Sequence, residues 1–435
     1  MKRLNFGVPL LIAVLVGTMM PTANCQETNT TPAAPGLSLD ALIAEALEKN
    51  PELKFYEAEI AAAKAGRKTA GVWANPEVNG DVGQKRVSGG GVSDEGIAWS
   101  VSVLQPFEWP GRLGLRKAIA NRDIELAELG YARFKIALTT KARSLAYDLF
   151  AAQERAAAAG EVAERFKALR EVLVQRDPAG LTPLLETRVI EATELNAQRK
   201  ASEALLTAQS ALLELNQLRG APADTRLSVR SGPLSFRPPE ARQTLLAIAQ
   251  TNNFELRLRT IELEQQGLRV DLAKNERYPT LSIGPSYSDE KVAGSREQTL
   301  SIGASLSLPL WDRNTGNLSA AKARQTQAEV SRHLAKREMQ RQVLSAALTY
   351  ETKLREMAKW RPDSGQHFKD AAELADRHYR LGAVPISTYV ELQEQYLEAV
   401  ESLLDTKRDA LEAAAQLELL TGLPLLKSGE TTKAK

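Results

Sequence analysis

Four short stretches of this chain alternate apolar and small polar residues with the period of a β-strand. Ile97, Trp99, Val101 and Val103 alternate with Ala98, Ser100, Ser102 and Leu104. Leu300, Ile302, Ala304, Leu306 and Leu308 alternate with Thr299, Ser301, Gly303, Ser305 and Ser307. Each has an upstream partner, over 76–86 and over Thr280–Tyr287, so the pattern predicts hairpins at 76–106 and 279–308. Loops are expected over 87–95, around Gly89-Gly90-Gly91, and over 288–297. An amphipathic helix is expected before each hairpin, over 39–72 and 241–276; Leu39, Leu42, Ile43, Ala46 and Leu47 share one face of the first.

After each hairpin the period changes to that of a long helix. Residues 110–175 follow the first hairpin with no proline beyond Pro110, enough for a helix of roughly 100 Å at 1.5 Å per residue. Val162, Phe166, Leu169 and Leu173 form a heptad seam, and Phe134, Leu138, Leu145 and Leu149 keep its phase. The chain is expected to turn at Asp177-Pro178-Ala179-Gly180 and return as a helix over 183–219. After the second hairpin the long helix is expected over 314–381, broken at Pro362 to Gly365, with a turn at Gly382 and a return over 385–420. A narrow apolar seam on a charged helix suits a single-layer wall wetted on both sides.

The two halves are one unit written twice. Asn50-Pro51-Glu52-Leu53 reappears as Asn253-Phe254-Glu255-Leu256, and Pro76, Pro106 and Ala118 as Pro279, Pro309 and Ala321, all 203 positions apart. Gly180 and Gly382, then Gly220-Ala221-Pro222 and Gly422-Leu423-Pro424, are 202 apart. Two structural repeats follow, at 39–222 and 241–424, joined by a linker at 223–240 and followed by a polar tail at 425–435.

Strand length gives the hairpins a setting. About 9–11 tilted residues cross the hydrocarbon of a bilayer, and these strands match. Phe107, Trp109 and Trp311 stand just past the second strand of each hairpin, where an interfacial girdle would lie. Membrane barrels need at least about eight strands, and an open sheet edge in lipid leaves backbone groups unpaired. One barrel must therefore be shared between chains, with strands from two or three copies. The helices would continue that barrel as a tube.

Composition fits: 5% aromatic and 25% charged residues in long Ala/Leu/Glu/Arg/Gln stretches signal packed long helices, not a thick globule. A formal net charge of +2 with interleaved signs gives no basic stripe for nucleic acid. Residues 1–24 read as an export signal: Lys2 and Arg3, an apolar run over 4–16, then small and polar residues. Residues 25–38 read as a flexible leader. Cys25, the only cysteine, falls where an exported bacterial chain is cut and lipidated; the alternative is a cut near Ala23 that leaves Cys25 an idle thiol. His333, His367 and His378 have no ligand partner at helical spacing, and no HExxH, CxxC or phosphate-binding loop occurs, so neither enzyme chemistry, a cofactor nor a metal site is expected.

The duplicated order helix, hairpin, long helix, turn, helix resembles the TolC-type outer-membrane efflux channels from about residue 39 to 424. Its motifs are Asn50-Pro51-Glu52-Leu53, Asn75-Pro76-Glu77, the run from Gln105 to Arg112, and Tyr379-Arg380-Leu381-Gly382 followed by Val390-Glu391-Leu392-Gln393. Glu108-Trp109-Pro110-Gly111 resembles the heavy-metal and cation branch, CzcC- and CusC-like. The resemblance implies a mainly α fold with a transmembrane β-barrel contribution: four strands per chain in a trimeric twelve-stranded barrel, with a long periplasmic α-helical tunnel. It also implies a homotrimer in the outer membrane of a Gram-negative-type bacterium, working with a periplasmic membrane-fusion adaptor and an inner-membrane pump of the RND type. Metal cations or small toxic compounds would be the substrates. A tip gate is implied near Gly180, Glu186, Tyr379 and Gly382. Ala383 and Val384 stand where some members carry a basic residue, so Arg176 and Arg380 are the candidate partners of Glu186. Glu186 also reads as a solvated carboxylate in a helix first turn, favoured by the dipole. Two further readings remain: a periplasmic coiled-coil adaptor or scaffold without a pore, and a type I protein-secretion duct.

Overall fold

The computed structural model describes residues 37–89, 92–176, 184–230, 234–292, 294–361 and 363–426. In chain order the elements are β1 (Leu37–Ser38), α1 (Leu39–Lys49), α2 (Glu52–Ala70), β2 (Glu77–Gly89), β3 (Val92–Phe107), α3 (Arg112–Arg176), α4 (Leu184–Leu218) and β4 (Val229–Arg230). The second half supplies α5 (Arg242–Asn252), α6 (Phe254–Asn275), β5 (Leu281–Val292), β6 (Ser295–Leu306), α7 (Thr315–Met357), α8 (Ser364–Arg380) and α9 (Ile386–Thr421). The signal, Cys25, Gly180 and the tail from 427 lie outside the described residues.

The helices expected as single rods over 39–72 and 241–276 are each broken once, at Asn50 and at Asn253. Both asparagines are extended, near φ −62° and ψ 121–123°. Proline at 51 disfavours the helical region at residue 50. The buried side chain then makes the corner. Asn50 Oδ1 accepts from Glu52 N (2.8 Å) and its Nδ2 donates to Leu218 O at the end of α4 (2.7 Å). Asn253 does the same with Leu256 N (3.1 Å) and Leu420 O at the end of α9 (3.2 Å). The asparagine thus caps one helix and satisfies a terminal carbonyl of another.

The strands are longer, and the hairpin loops shorter, than the sequence pattern predicts. Pairing runs from Glu77↔Leu104 to Gly89↔Val92 and from Leu281↔Leu306 to Val292↔Ser295. The segments 87–95 and 288–297 looked like loops because they are polar. Their charges instead pair across the strands, Arg86 with Glu95 and Arg296 with Asp289. The four long strands form one antiparallel sheet in the order β2-β3-β5-β6, so β3·β5 joins the repeats and β2 and β6 are its edges.

The helices form a wall whose core is divided into small clusters, with α3 along α4 and α9, and α7 and α8 along α9. Equivalent residues fill equivalent clusters. Leu42, Ala211 and Leu215 are buried together in the first repeat, and Leu245, Ala413 and Leu417 in the second. Tyr147, Ala151, Leu404 and Leu411 form a cluster that joins α3 to α9. A parallel pair, β1 with β4, and a bridge from Phe236 to Leu426 close the linker against the helices. The long second helix is broken, but α7 ends at Met357 and α8 starts at Ser364. The break thus begins earlier than Pro362, which lies outside the described residues, and Gly365, expected within it, is helical. No helix among the described residues is long and apolar enough to cross a membrane.

Candidate functional site: the sheet, its junction with the helices, and the helical tip

Residues opposite each other in an antiparallel sheet point to the same side, so the register assigns the faces. One face carries Val78 and Val82 of β2, Ile97 and Val101 of β3, Ile283 of β5, and Ile302 of β6. Val82 is 84% exposed and Ile302 83%. Burial of such side chains is worth roughly 1.5–3 kcal/mol each, and no other described residue covers them. The other face is wet. Ser100 donates to Asp81 (3.1 Å), the hydroxyls of Ser286 and Ser301 bond each other (2.7 Å), and Lys85 pairs with Glu290.

Where β3 gives way to α3, Gly111 turns the chain at φ +90° and Arg112 ties the halves together. Its guanidinium donates to Asn275 Oδ1 (3.1 Å), to the carbonyls of Asn275 and Tyr278 (both 3.0 Å) and to Thr280 Oγ1 (3.4 Å). Asn275 returns a bond to Pro110 O (3.0 Å). Trp109 stacks on Tyr278 at 4.6 Å and 10°. Phe107 meets Trp73 edge-on at 5.9 Å. Trp311, at the matching place past β6, is 93% exposed. In that copy Asn314 takes the left-handed conformation (φ 55°) and donates to Ala273 O (3.0 Å). Arg112 stood in the quoted motif without a role, because its partners are more than 160 residues away.

At the far end of the helices, α8 closes on Gly382 (φ +73°), with Gly382 N bonded to Tyr379 O (2.9 Å) and Ala383 N to His378 O (2.9 Å). The ring of Tyr379 stacks on Tyr389 of α9 (5.1 Å, 18°), and Phe166 of α3 meets Tyr389 edge-on at 5.3 Å. Asp376 accepts from the Tyr389 hydroxyl (3.3 Å) and from Arg380 Nε (2.9 Å). Gln393, fully buried, donates to Ala372 O (2.8 Å) and accepts from Arg165 (3.2 Å), so α3, α8 and α9 are locked together. Glu186 sits in the first turn of α4. Burial, and to a lesser extent the Glu186 charge, raises the Tyr379 phenol above the usual range. Arg380 is engaged by Asp376, the Arg176 side chain lies outside the described residues, and no other described Lys or Arg pairs with Glu186. Asp376 and Arg165 were not picked out from the sequence; nothing in their local pattern distinguishes them from solvated helix charges.

His367 pairs with Asp363 (2.7 Å), and no group of three His, Cys, Asp or Glu side chains among the described residues could hold a metal ion.

Long helices bearing a small antiparallel sheet, oily on one face and hydroxyl-lined on the other, define an outer-membrane channel subunit. The chain matches the family described as outer membrane efflux protein over residues 42–221 and 245–423, and it belongs to that family. The matched segments are the two repeats. It is 26% identical over 344 residues to the cobalt-zinc-cadmium resistance protein CzcC of Cupriavidus metallidurans, covering 78% of this chain and 79% of that one. It is 26% identical over 335 residues to the nickel-cobalt-cadmium resistance protein NccC of Alcaligenes xylosoxydans xylosoxydans, covering 75% and 71%. Its fold is that of the CmeC outer membrane channel of Campylobacter jejuni, with a TM-score of 0.73 at 17% identity over 91% of this chain and 88% of that one. The protein is an outer-membrane channel of the efflux class, not an enzyme.

Proposed function

We propose that this chain is the exit duct of a tripartite efflux system, a passive conduit from the periplasm across the outer membrane. Three copies share one twelve-stranded barrel, and their helices form the periplasmic tunnel. The observation that carries this reading is the sheet, with an oily face that no described residue covers and edges at β2 and β6. A scaffold without a pore has no use for such a face. In lipid the open edges must find strands from other copies, because hydrocarbon offers their N–H and C=O groups no partner.

Energy for transport comes from an inner-membrane pump of the RND type, reached through a periplasmic membrane-fusion adaptor. Likeness to relatives named for cobalt, zinc, cadmium and nickel resistance supports metal cations as the substrates. Cation choice then belongs to the pump, and the wet face and the helical tunnel serve as a path. The tip closes around Glu186, Tyr379 and Gly382, with Phe107, Trp109 and Trp311 at the membrane interface.

Native mass spectrometry of the detergent-purified mature protein tests the assembly. A heat-resistant trimer is expected, and a soluble monomer needing no detergent overturns the reading. Loss of metal tolerance on deletion, restored by the gene, tests the substrate class.

A further inference from the structure

We infer that the seam between neighbouring copies repeats the internal β3·β5 seam residue for residue, so that β6 of one copy pairs with β2 of the next with Ser305 opposite Gly83. The inference rests on the shared barrel proposed above and adds its register. Inside the chain, β3 and β5 pair without slip between Phe107↔Leu281 and Ala98↔Glu290. The strands of the second repeat follow those of the first at a spacing of 203, as Pro76 and Pro279 or Pro106 and Pro309 show. Moving β3 forward by that spacing gives β6, and moving β5 back by it gives β2. The internal pairs Ser102↔Ser286 and Ala98↔Glu290 then become Ser305↔Gly83 and Ser301↔Val87.

The faces provide an independent check. In this register Leu306 meets Val82 on the oily side, and Ser305 meets Gly83 on the wet side. A slip of one residue would set oily against wet positions along the whole seam. A slip of two would preserve the faces, so the internal repeat is what selects among the even registers.

The ends of the strands agree. Inside the chain, Trp109 past the end of β3 stacks on Tyr278 just before β5. The 203 spacing carries Trp109 and Tyr278 onto Asp312 and Asn75, and within two residues of these stand Trp311, past β6 and 93% exposed, and Trp73, before β2 and 57% exposed. Trp311 is bare and Trp73, met on one edge by Phe107, is still more than half exposed, at the place where this register brings β6 and β2 together.

The seams differ at one point. The internal ladder skips from Ser102↔Ser286 to Gln105↔Ile283, over Gly284 and Pro285, where proline has no N–H to give. Asp81 and Val82 occupy those positions in β2, so the ladder between copies runs through uninterrupted.

Paired cysteines read the register directly. The test uses the full chain, whose native Cys25 alone serves as the blank. Ser305→Cys is combined in turn with Gly83→Cys, with Asp81→Cys and with Lys85→Cys, in membranes treated with copper phenanthroline or a short bismaleimide. All are wet-face positions with the same ladder geometry, and a Cβ on Gly83 meets nothing within 4 Å. The expected result is a ladder of covalent dimers and trimers for Ser305→Cys with Gly83→Cys, and much weaker products for the shifted pairs. A shifted pair that links best, or a trimer that links with none, overturns the register and leaves the shared barrel standing. A protein that is monomeric before any linking sinks the barrel itself. Should Gly83→Cys fail to assemble, Ser301→Cys with Val87→Cys reads the same register independently.

Discussion

The two repeats have the same parts in the same order, yet the first is internally tied where the second is left open. In the first, Trp109 is stacked on Tyr278 and Arg112 spans the junction to α6 with four hydrogen bonds. In the second, Trp311 is bare and Thr315 stands where Arg112 would be. The first long helix is one rod of 65 residues; the second is split into α7 and α8. A duplicated unit in a ring has one junction inside the chain and one between chains. In the shared barrel proposed above only the inner junction is complete in a single copy, so the difference marks the surface at which copies would meet.

The sharpest way to break this comparison is at Gly284. A Cβ there would fall inside the carbonyl of Val103, so the backbones of β5 and β3 approach too closely for any side chain. Its twin in β2, 203 positions earlier, is Asp81, which already carries one. Gly284→Ala should therefore cost about 3 kcal/mol through overpacking and abolish the heat-resistant oligomer. Gly83→Ala, with open space around its Cβ, should leave the oligomer intact. Equal tolerance of both on a heated gel would show that the inner seam is not closed as described.

The corner asparagines come next, and here the repeats should respond alike. Asn50→Ala and Asn253→Ala each remove a helix cap and strip a terminal carbonyl of its donor, at Leu218 or Leu420. A loss of roughly 2 kcal/mol is expected for each, read as matching falls in the melting temperature of the helical signal. A large loss at one asparagine and none at the other would mean that the repeats are not mechanically equivalent.

These asparagines also mark where reading the chain fell short. The order of elements was legible, because alternation at 97–103 and 300–308 and the heptad seam at 162–173 are long-lived patterns with different periods. The break at residue 50 was signalled by Pro51 and went unread; its twin at Asn253 has no proline after it, and there one residue's side chain makes the corner. Polar hairpin ends passed for loops, since Arg86 with Glu95 and Asp289 with Arg296 satisfy their charges only once paired. At the tip, the motif singled out Tyr379 and Gly382, but the Tyr389–Asp376–Arg380 brace depends on which face of α8 meets α9. Such contacts are tertiary, and no local period encodes them.

A third pair tests the helical wall. Tyr147 and Tyr350 are again 203 apart, both fully buried, and both donate to a carbonyl, of Leu404 (3.2 Å) and Arg237 (2.6 Å). Each Tyr→Phe change should cost about 1 kcal/mol. Burial raises both phenols, Tyr350 to about 12. In the unfolded chain they ionise near ~10. Above that pH the folded state binds more protons than the unfolded one, so stability falls as pH rises from about 10 through the folded values. The double Phe variant should show a shallower alkaline decline in denaturant titrations; an unchanged slope would assign the decline to other groups.

The smallest expected effect on stability falls at the tip, where the comparison becomes functional. The turn of the second repeat is braced within the chain: Tyr379 lies on Tyr389, and Asp376 holds both the Tyr389 hydroxyl and Arg380. Glu186, in the first turn of the first repeat's return helix, has a charge felt at Tyr379 and no described cation paired to it. In the gate proposed above this carboxylate would help to hold the tip closed. Removing it should free the opening without loosening the fold. Glu186→Ala is therefore expected to raise single-channel conductance in a planar bilayer and leave the melting temperature unchanged. Asp376→Ala, which cuts the internal brace, should instead lower the melting temperature, by an amount equivalent to about 1 kcal/mol. Unchanged conductance for Glu186→Ala across several voltages would remove that residue from the gate. It would leave Glu186 as a helix-capping charge that interacts only with the dipole of α4.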